Sequence, residues 1–267
     1  MRIIKKSKEI NLLFNSIKKT GFIPTMGSLH KGHVSLIRKS VKQNNVTFVS
    51  IFLNPKQFEN EKDLNKYPKK LNNDIKICKK YKVDYLFIPS FKEVYSWRIK
   101  KRRFPKIKNI MEHKFRKGHF NGVLKVIEKL IDIIPADKVY LGEKDFQQII
   151  IIKDFLNINK LKTKIIRCKT IRHKNGLALS SRNNLLSPKD LTKAAKVINF
   201  IRKIKLKRQS IQKKKILIRK FLNNNKFNYD YIENINLKNF RPSNKILNNS
   251  RIFVAFYINK IRLIDNI

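Results

Sequence analysis

Glycine is scarce in this chain: seven residues of 267, all of them before residue 177. Backbone that needs unusual dihedrals or close approach is therefore concentrated in the first two thirds. Cysteine is scarcer still. Cys78 and Cys168 stand far apart in no paired motif, which excludes a disulfide framework and a cysteine-based zinc site. They read as small apolar residues of a reducing compartment. No apolar run reaches the roughly 18 residues of a membrane span. The N-terminal MRIIKKSKEINLLF carries Glu9 and no uninterrupted apolar segment, so it reads poorly as a signal peptide. The expected location is cytoplasmic.

Acidic residues are also few: 18 Asp and Glu face 63 Lys and Arg, a net charge of +45. That balance invites a nucleic-acid reading. Its distribution argues otherwise: 21 basic and 4 acidic residues fall in 177–267, and 42 and 14 before it, so no tail or patch collects the excess. The chain is rich in Lys, Asn and Ile, a pattern that A/T-rich codon usage produces without a polyanionic partner. No zinc-finger or RNA-binding aromatic motif is present. The 42% hydrophobic content suffices for a sizeable core and excludes a wholly disordered chain.

What is present is alternation. GFIPT at 21–25, VTFVSIFL at 46–53, VDYLFIP at 83–89, KVYLG at 138–142 and TKIIRC at 163–168 read as buried strands. Helical spacing fills the intervals, at 31–43, about 68–81, 122–134 and from 144 onward. Repeated strand and helix imply parallel strands with right-handed crossovers, an α/β Rossmann-like sheet. After about residue 177 the pattern changes. Residues 188–224 read as two helices, and 228–236, 251–258 and 261–264 as strands, a small α+β unit. The expected domains are 1–172 and 173–267.

The polar segments fall where strands hand over to helices, the edge at which open α/β sheets bind ligands. Pro24-Thr-Met-Gly-Ser-Leu-His-Lys-Gly-His33 holds G-x-x-x-x-G, but His33 and Val34 stand where a P-loop needs Lys and Ser or Thr. It is instead His-x-Gly-His at a helix start, where backbone N–H groups already favour an anion. Two imidazoles there suit phosphate oxygens and a pyrophosphate leaving group. The second strand ends in Asn54-Pro55-Lys-Gln57, amides suited to a small ligand's hydroxyl and carboxylate groups. Gly142-Glu143-Lys144-Asp145-Phe146-Gln147-Gln148 sets a cation, two carboxylates and two amides at the same edge. Lys144 suits phosphate; Asp145 or Glu143 suits ribose hydroxyls or a metal. Ser180-Ser181-Arg182 makes a small anion clamp.

Together PTMGSLHKGH, SIFLNPKQF, the DL…YP pair at Asp63 to Pro68, GHFNGV, GEKDFQQ and GLALSSRN resemble the pantoate–β-alanine ligase family, in order and spacing, from Gly21 to Asn266. The family lies within the His-x-Gly-His nucleotidylyltransferases. The resemblance implies a Rossmann-like domain binding ATP and pantoate, and a smaller C-terminal lid domain. It implies an ATP-dependent ligation of pantoate and β-alanine through a pantoyl adenylate, with release of AMP and pyrophosphate, Mg²⁺ accompanying the ATP, and a homodimer. Carried over by position, His30, His33 and Lys144 would be catalytic, with His33 as proton donor by family habit. Met26, Gly27, Ser28, Leu29, His30, Lys31, Gly32 and His33 would form the ATP loop. Gly142, Glu143, Lys144, Asp145, Ile171, Leu179, Ser180, Ser181 and Arg182 would complete the ATP site. Gln57 and Gln148 would hold pantoate, and Gln57 with Asn54 would border β-alanine. Asp74 would be the one metal carboxylate carried over, because Asn73 replaces its usual acidic neighbour. Tyr67, Arg116 and His119 sit in family motifs without a settled role. The basic segment 96–110 matches the family poorly and is expected to alter a loop or a subunit contact.

A different adenylyltransferase acting on a phosphorylated acceptor would call for Arg or Lys where Gln57 and Gln148 stand. A class I aminoacyl-tRNA synthetase would need more length and a KMSKS-like loop. A nucleic-acid-binding protein would show binding that weakens steeply with salt.

Overall fold

The structure, a computed structural model, describes residues 1–14, 16–98, 102–245 and 249–267. It divides into two compact units, Met1–Thr170 and Ile171–Ile267.

The first unit is built on six parallel strands: β1 (Arg2–Ile4), β2 (Thr20–Thr25), β3 (Val46–Ile51), β4 (Tyr85–Phe87), β5 (Lys138–Gly142) and β6 (Lys164–Cys168). Their order is β1-β4-β3-β2-β5-β6, all neighbours parallel. The direction of strand addition reverses between β2 and β5, a topological switch point. Strand alternation supplies both faces. Phe22, Phe48, Phe87 and Val139 enter one apolar cluster, while their neighbours Ile23, Val49, Leu86 and Tyr140 enter another. The first cluster is completed by α1 (Ser7–Leu13), α7 (His119–Ile133) and α8 (Phe146–Ile158); the second by α2 (Lys31–Gln43) and α4 (Leu71–Lys80). Each fully buried Ile or Leu of these helices contributes about 1.5–3 kcal/mol by leaving water. Shorter helices α3 (Glu61–Lys66), α5 (Phe91–Tyr95) and α6 (Met111–Phe115) lie between strands.

The sequence reading misses β1, which is three residues long and pairs with β4. It also misses α1, α3, α5 and α6, each too short for helical periodicity to register. Within the basic segment 96–110, residues 99–101 lie outside the described residues. Its flanks are tied to α7. The Trp97 indole donates to Asp132 Oδ2 at 2.8 Å, and Arg102 Nη2 pairs with Asp132 Oδ1 at 2.6 Å.

The second unit holds α9 (Pro188–Leu206), α10 (Ile211–Asn224) and an antiparallel sheet of β7 (Tyr229–Asn236), β8 (Arg241–Pro242), β9 (Ser250–Ile258) and β10 (Ile261–Asn266), ordered β10-β9-β7-β8. Ser187 caps α9 by accepting from the Asp190 N–H, with Pro188 at the first helical position. Alternate β9 residues Ile252, Val254, Phe256 and Ile258 pack with Ile198, Ile201, Ile218 and Leu222 of the helices. The Arg172 guanidinium forms a two-point ion pair with Asp265, which is buried.

Candidate active site

Three polar turns leave the C-terminal ends of β2, β3 and β5, around the switch point. The turn after β2 passes through the left-handed region at Gly27 (φ 80°) and Ser28 (φ 52°). Glycine suits the first position; Ser28 is held there by tertiary contacts. Asp74, buried in the first turn of α4, accepts the Ser28 N–H at 2.8 Å and the Leu29 N–H at 2.7 Å, one on each carboxylate oxygen. Thr25 Oγ1 accepts the Gly27 N–H and donates to the Ser50 carbonyl. Burial raises the Asp74 pKa, against the pull of the two backbone donors.

His30 then caps α2. Its Nδ1 accepts the Gly32 N–H at 3.1 Å, and His33 Nδ1 accepts the His30 N–H at 3.3 Å. The two rings lie 4.1 Å apart. An imidazole whose Nδ1 accepts carries its proton on Nε2. Both histidines are therefore set as Nε2–H donors. His33 is pushed down to a pKa of about 4, by loss of solvation and then by the Lys144 ammonium. Around neutrality it is an uncharged imidazole. Lys144, in the 3₁₀ turn after β5, also pairs with Asp145 at 3.5 Å.

The turn after β3 is a network of amides. Asn54 is buried and has all four hydrogen-bond positions filled. Its Nδ2 donates to Gln57 Oε1 at 3.2 Å and to the Gly122 carbonyl at 3.1 Å. Its Oδ1 accepts from the Lys56 N–H and the Tyr95 hydroxyl. Asn54 thus holds Gln57. Gln57 Nε2 lies 2.7 Å from the Met26 sulfur, which joins this turn to the histidine turn. On α8 the two glutamines diverge. Gln147 is buried and spent on the Glu112 N–H and the Ile110 carbonyl, while Gln148 stays partly exposed.

The first unit therefore brings together Met26 to His33, Gln57 and Lys144. The Asp74 oxygens hold the backbone of the turn. Among the described residues no group of three or more His, Cys, Asp or Glu is arranged to hold a metal ion.

In the second unit, the Ile171 carbonyl accepts the Leu179 N–H at 2.9 Å. Ser180 caps the 3₁₀ turn Ser181–Leu185 by accepting the Arg182 N–H. Ser181 is buried, and Arg182 Nη1 reaches the Arg262 carbonyl at 3.4 Å. The sequence reading gives no role to Tyr95 or Gly122. The signal for Gly122 was a glycine inside an apolar helical pattern, which costs stability unless packing demands it.

A six-stranded parallel sheet with a polar His-x-Gly-His turn at its switch point defines an α/β protein of Rossmann-like fold. Residues 2–267 match the family model described as pantoate-beta-alanine ligase. Pantothenate synthetase from Francisella philomiragia is 42% identical over 272 residues, covering all of this chain and 97% of that protein. The crystal structure of pantothenate synthetase from Thermus thermophilus superposes with a TM-score of 0.91 at 29% identity, covering 100% and 99% of the two chains. That of pantoate-beta-alanine ligase from Francisella tularensis, complexed with beta-gamma ATP and beta-alanine, gives 0.84 at 42% identity, covering 100% and 97%. The chain belongs to the pantoate–β-alanine ligase family.

Proposed function

We propose that this pantoate–β-alanine ligase works through a pantoyl adenylate. A pantoate carboxylate oxygen attacks the α-phosphorus of ATP; the new P–O bond forms as the bond to the β-phosphate breaks, and pyrophosphate leaves. The β-alanine amine then attacks the acyl carbon. A C–N bond forms, the C–O bond to AMP breaks, and the nitrogen gives up a proton. Neither step needs a protein nucleophile; both need positioning and charge stabilisation.

The observation that carries this reading is the tautomeric state of His30 and His33. Two Nε2–H donors at a helix start, with Lys144 beside them, match the charge that develops on departing pyrophosphate. His33 directs its Nε2–H toward the departing pyrophosphate, as the proton donor that the family resemblance implies. Met26 to His33, with Gly142 to Asp145, form the nucleotide cradle, and Ile171, Leu179, Ser180, Ser181 and Arg182 bind ATP as well. Gln57 and Gln148 hold pantoate, and Gln57 with Asn54 borders β-alanine. Mg²⁺ would accompany ATP as part of the substrate and neutralise charge along its phosphates. A cytoplasmic homodimer completes the proposal; no helix among the described residues is long and apolar enough to cross a membrane.

Pantoate-dependent exchange between ATP and pyrophosphate tests the mechanism. Exchange that requires pantoate but not β-alanine is expected. Exchange that appears only with β-alanine would overturn the adenylate.

A further inference from the structure

Gln57 is held from behind by the start of α7, and two groups there have no assigned role in the reaction. The first is His119. Arg116 Nη1 lies 3.0 Å from His119 Nε2, and His119 Nδ1 lies 2.7 Å from the Gln57 carbonyl. A guanidinium only donates, so Nε2 must accept; the ring proton then sits on Nδ1 and is donated to the Gln57 carbonyl. The tautomer is thus set by Arg116, which is itself fixed by Glu59 at 3.2 Å and Glu112 at 3.7 Å. The second is Gly122, one turn further on. A Cβ at this position would stand 2.0 Å from the Lys56 carbonyl oxygen and 2.8 Å from Gln57 Cα. Both are backbone atoms, which cannot rotate away. The Gly122 carbonyl also accepts from Asn54, whose amide in turn holds Gln57 Oε1.

We infer that His119 and Gly122 are positioning residues for Gln57, His119 by donating to its carbonyl and Gly122 by admitting its backbone against α7. This deepens the proposed pantoate role of Gln57 and rests on it. The His119 ring is kept neutral by loss of solvation and by Arg116, to a pKa of about 4, which preserves the acceptor on Nε2 across the neutral range. The fixed object is the main chain at residue 57, so the effect reaches substrate only through the Gln57 side chain.

The test is steady-state kinetics of the full-length enzyme, with KM measured separately for pantoate and ATP. His119→Ala is expected to raise the pantoate KM about tenfold and to leave the ATP KM within about twofold, since a small misplacement of a binding group suffices. His119→Asn keeps a donor at the Nδ1 position and should recover most of that loss. His119→Gln places its amide at the Nε2 position and should not. Gly122→Ala should exceed His119→Ala in the pantoate KM, with its folding checked by thermal melting. Asn and Ala variants that behave alike, or equal effects on both substrates, would overturn the inference. Gln57→Ala separates the two levels. If it leaves the pantoate KM unchanged, the pantoate reading of Gln57 falls and the inference with it. If it raises that KM while the His119 variants do not, only the positioning inference falls.

Discussion

The turns after β2 and β3 leave adjacent, hydrogen-bonded strands and are held by opposite means. The histidine turn after β2 is held by a charge: a buried Asp74 carboxylate gathers two backbone N–H groups and keeps Gly27 and Ser28 left-handed. The amide turn after β3 is held by neutral groups and by fit. Asn54 is saturated, His119 donates as a neutral ring, and Gly122 leaves no room for a methyl group. The difference follows from the ligand each turn serves in the proposed reaction. A triphosphate needs many donors with fixed directions, so the backbone must be locked before it arrives. A small hydroxy acid is recognised by one or two amides, whose aim depends on where their main chain sits.

The sharpest way to break this contrast is at the histidine turn itself. His33→Ala is expected to lower adenylate formation by roughly 10²-fold or more, measured as pantoate-dependent ATP–pyrophosphate exchange, because a preorganised donor to the leaving group is lost. Near-normal exchange would remove His33 from the chemistry and leave the turn a helix cap only. Asp74→Asn should act less strongly and differently. Asparagine presents one acceptor oxygen and one donor, so one of the two backbone N–H groups loses its partner, at a cost of about 2 kcal/mol in stability. The ATP KM should rise more than the pantoate KM, and the Mg²⁺ concentration for half-maximal rate should stay where it is. A large shift in that Mg²⁺ requirement would return Asp74 to the metal role expected from the sequence.

How much of this was legible beforehand differs between the two turns. His-x-Gly-His, Asn54-Pro-x-Gln57 and Gly142 to Asp145 stand out in one dimension because their chemistry is local: polar residues crowd the end of an apolar strand. Five of the six parallel strands were legible for the same reason, since β-branched and aromatic runs have few other uses. The supports were not. Asp74 lies 45 residues beyond Leu29, and His119 lies 62 beyond Gln57, so neither pairing leaves a pattern within any window. The sequence offered Asp74 as a carboxylate and the fold spent that carboxylate on backbone donors. Arg102 stands in the basic stretch expected to alter a loop or a subunit contact, and its partner Asp132 lies 30 residues on, on α7.

The smallest expected effect asks whether the two turns, so differently held, fail together in acid. His33 and His119 both have pKa values lowered from 6.5 to about 4, the first by lost solvation and Lys144, the second by lost solvation and Arg116. Between those values the unfolded chain binds protons that the folded chain does not. Stability is then fully present above about pH 6.5, falls as pH drops through that window, and stops falling on account of these rings below about pH 4. Thermal melting from pH 8 to pH 4 should show the decline. His33→Asn and His119→Asn should each flatten it, since the substituted side chain does not titrate, and comparing each variant with the parent at every pH cancels the titration of the carboxylates. Equal flattening by both variants would mean that acid unlocks the two turns alike. If His119→Asn alone flattens the curve, the charge beside His33 already yields to solvent in the folded state, and the neutral-donor assignment for that ring fails while the brace on Gln57 stands.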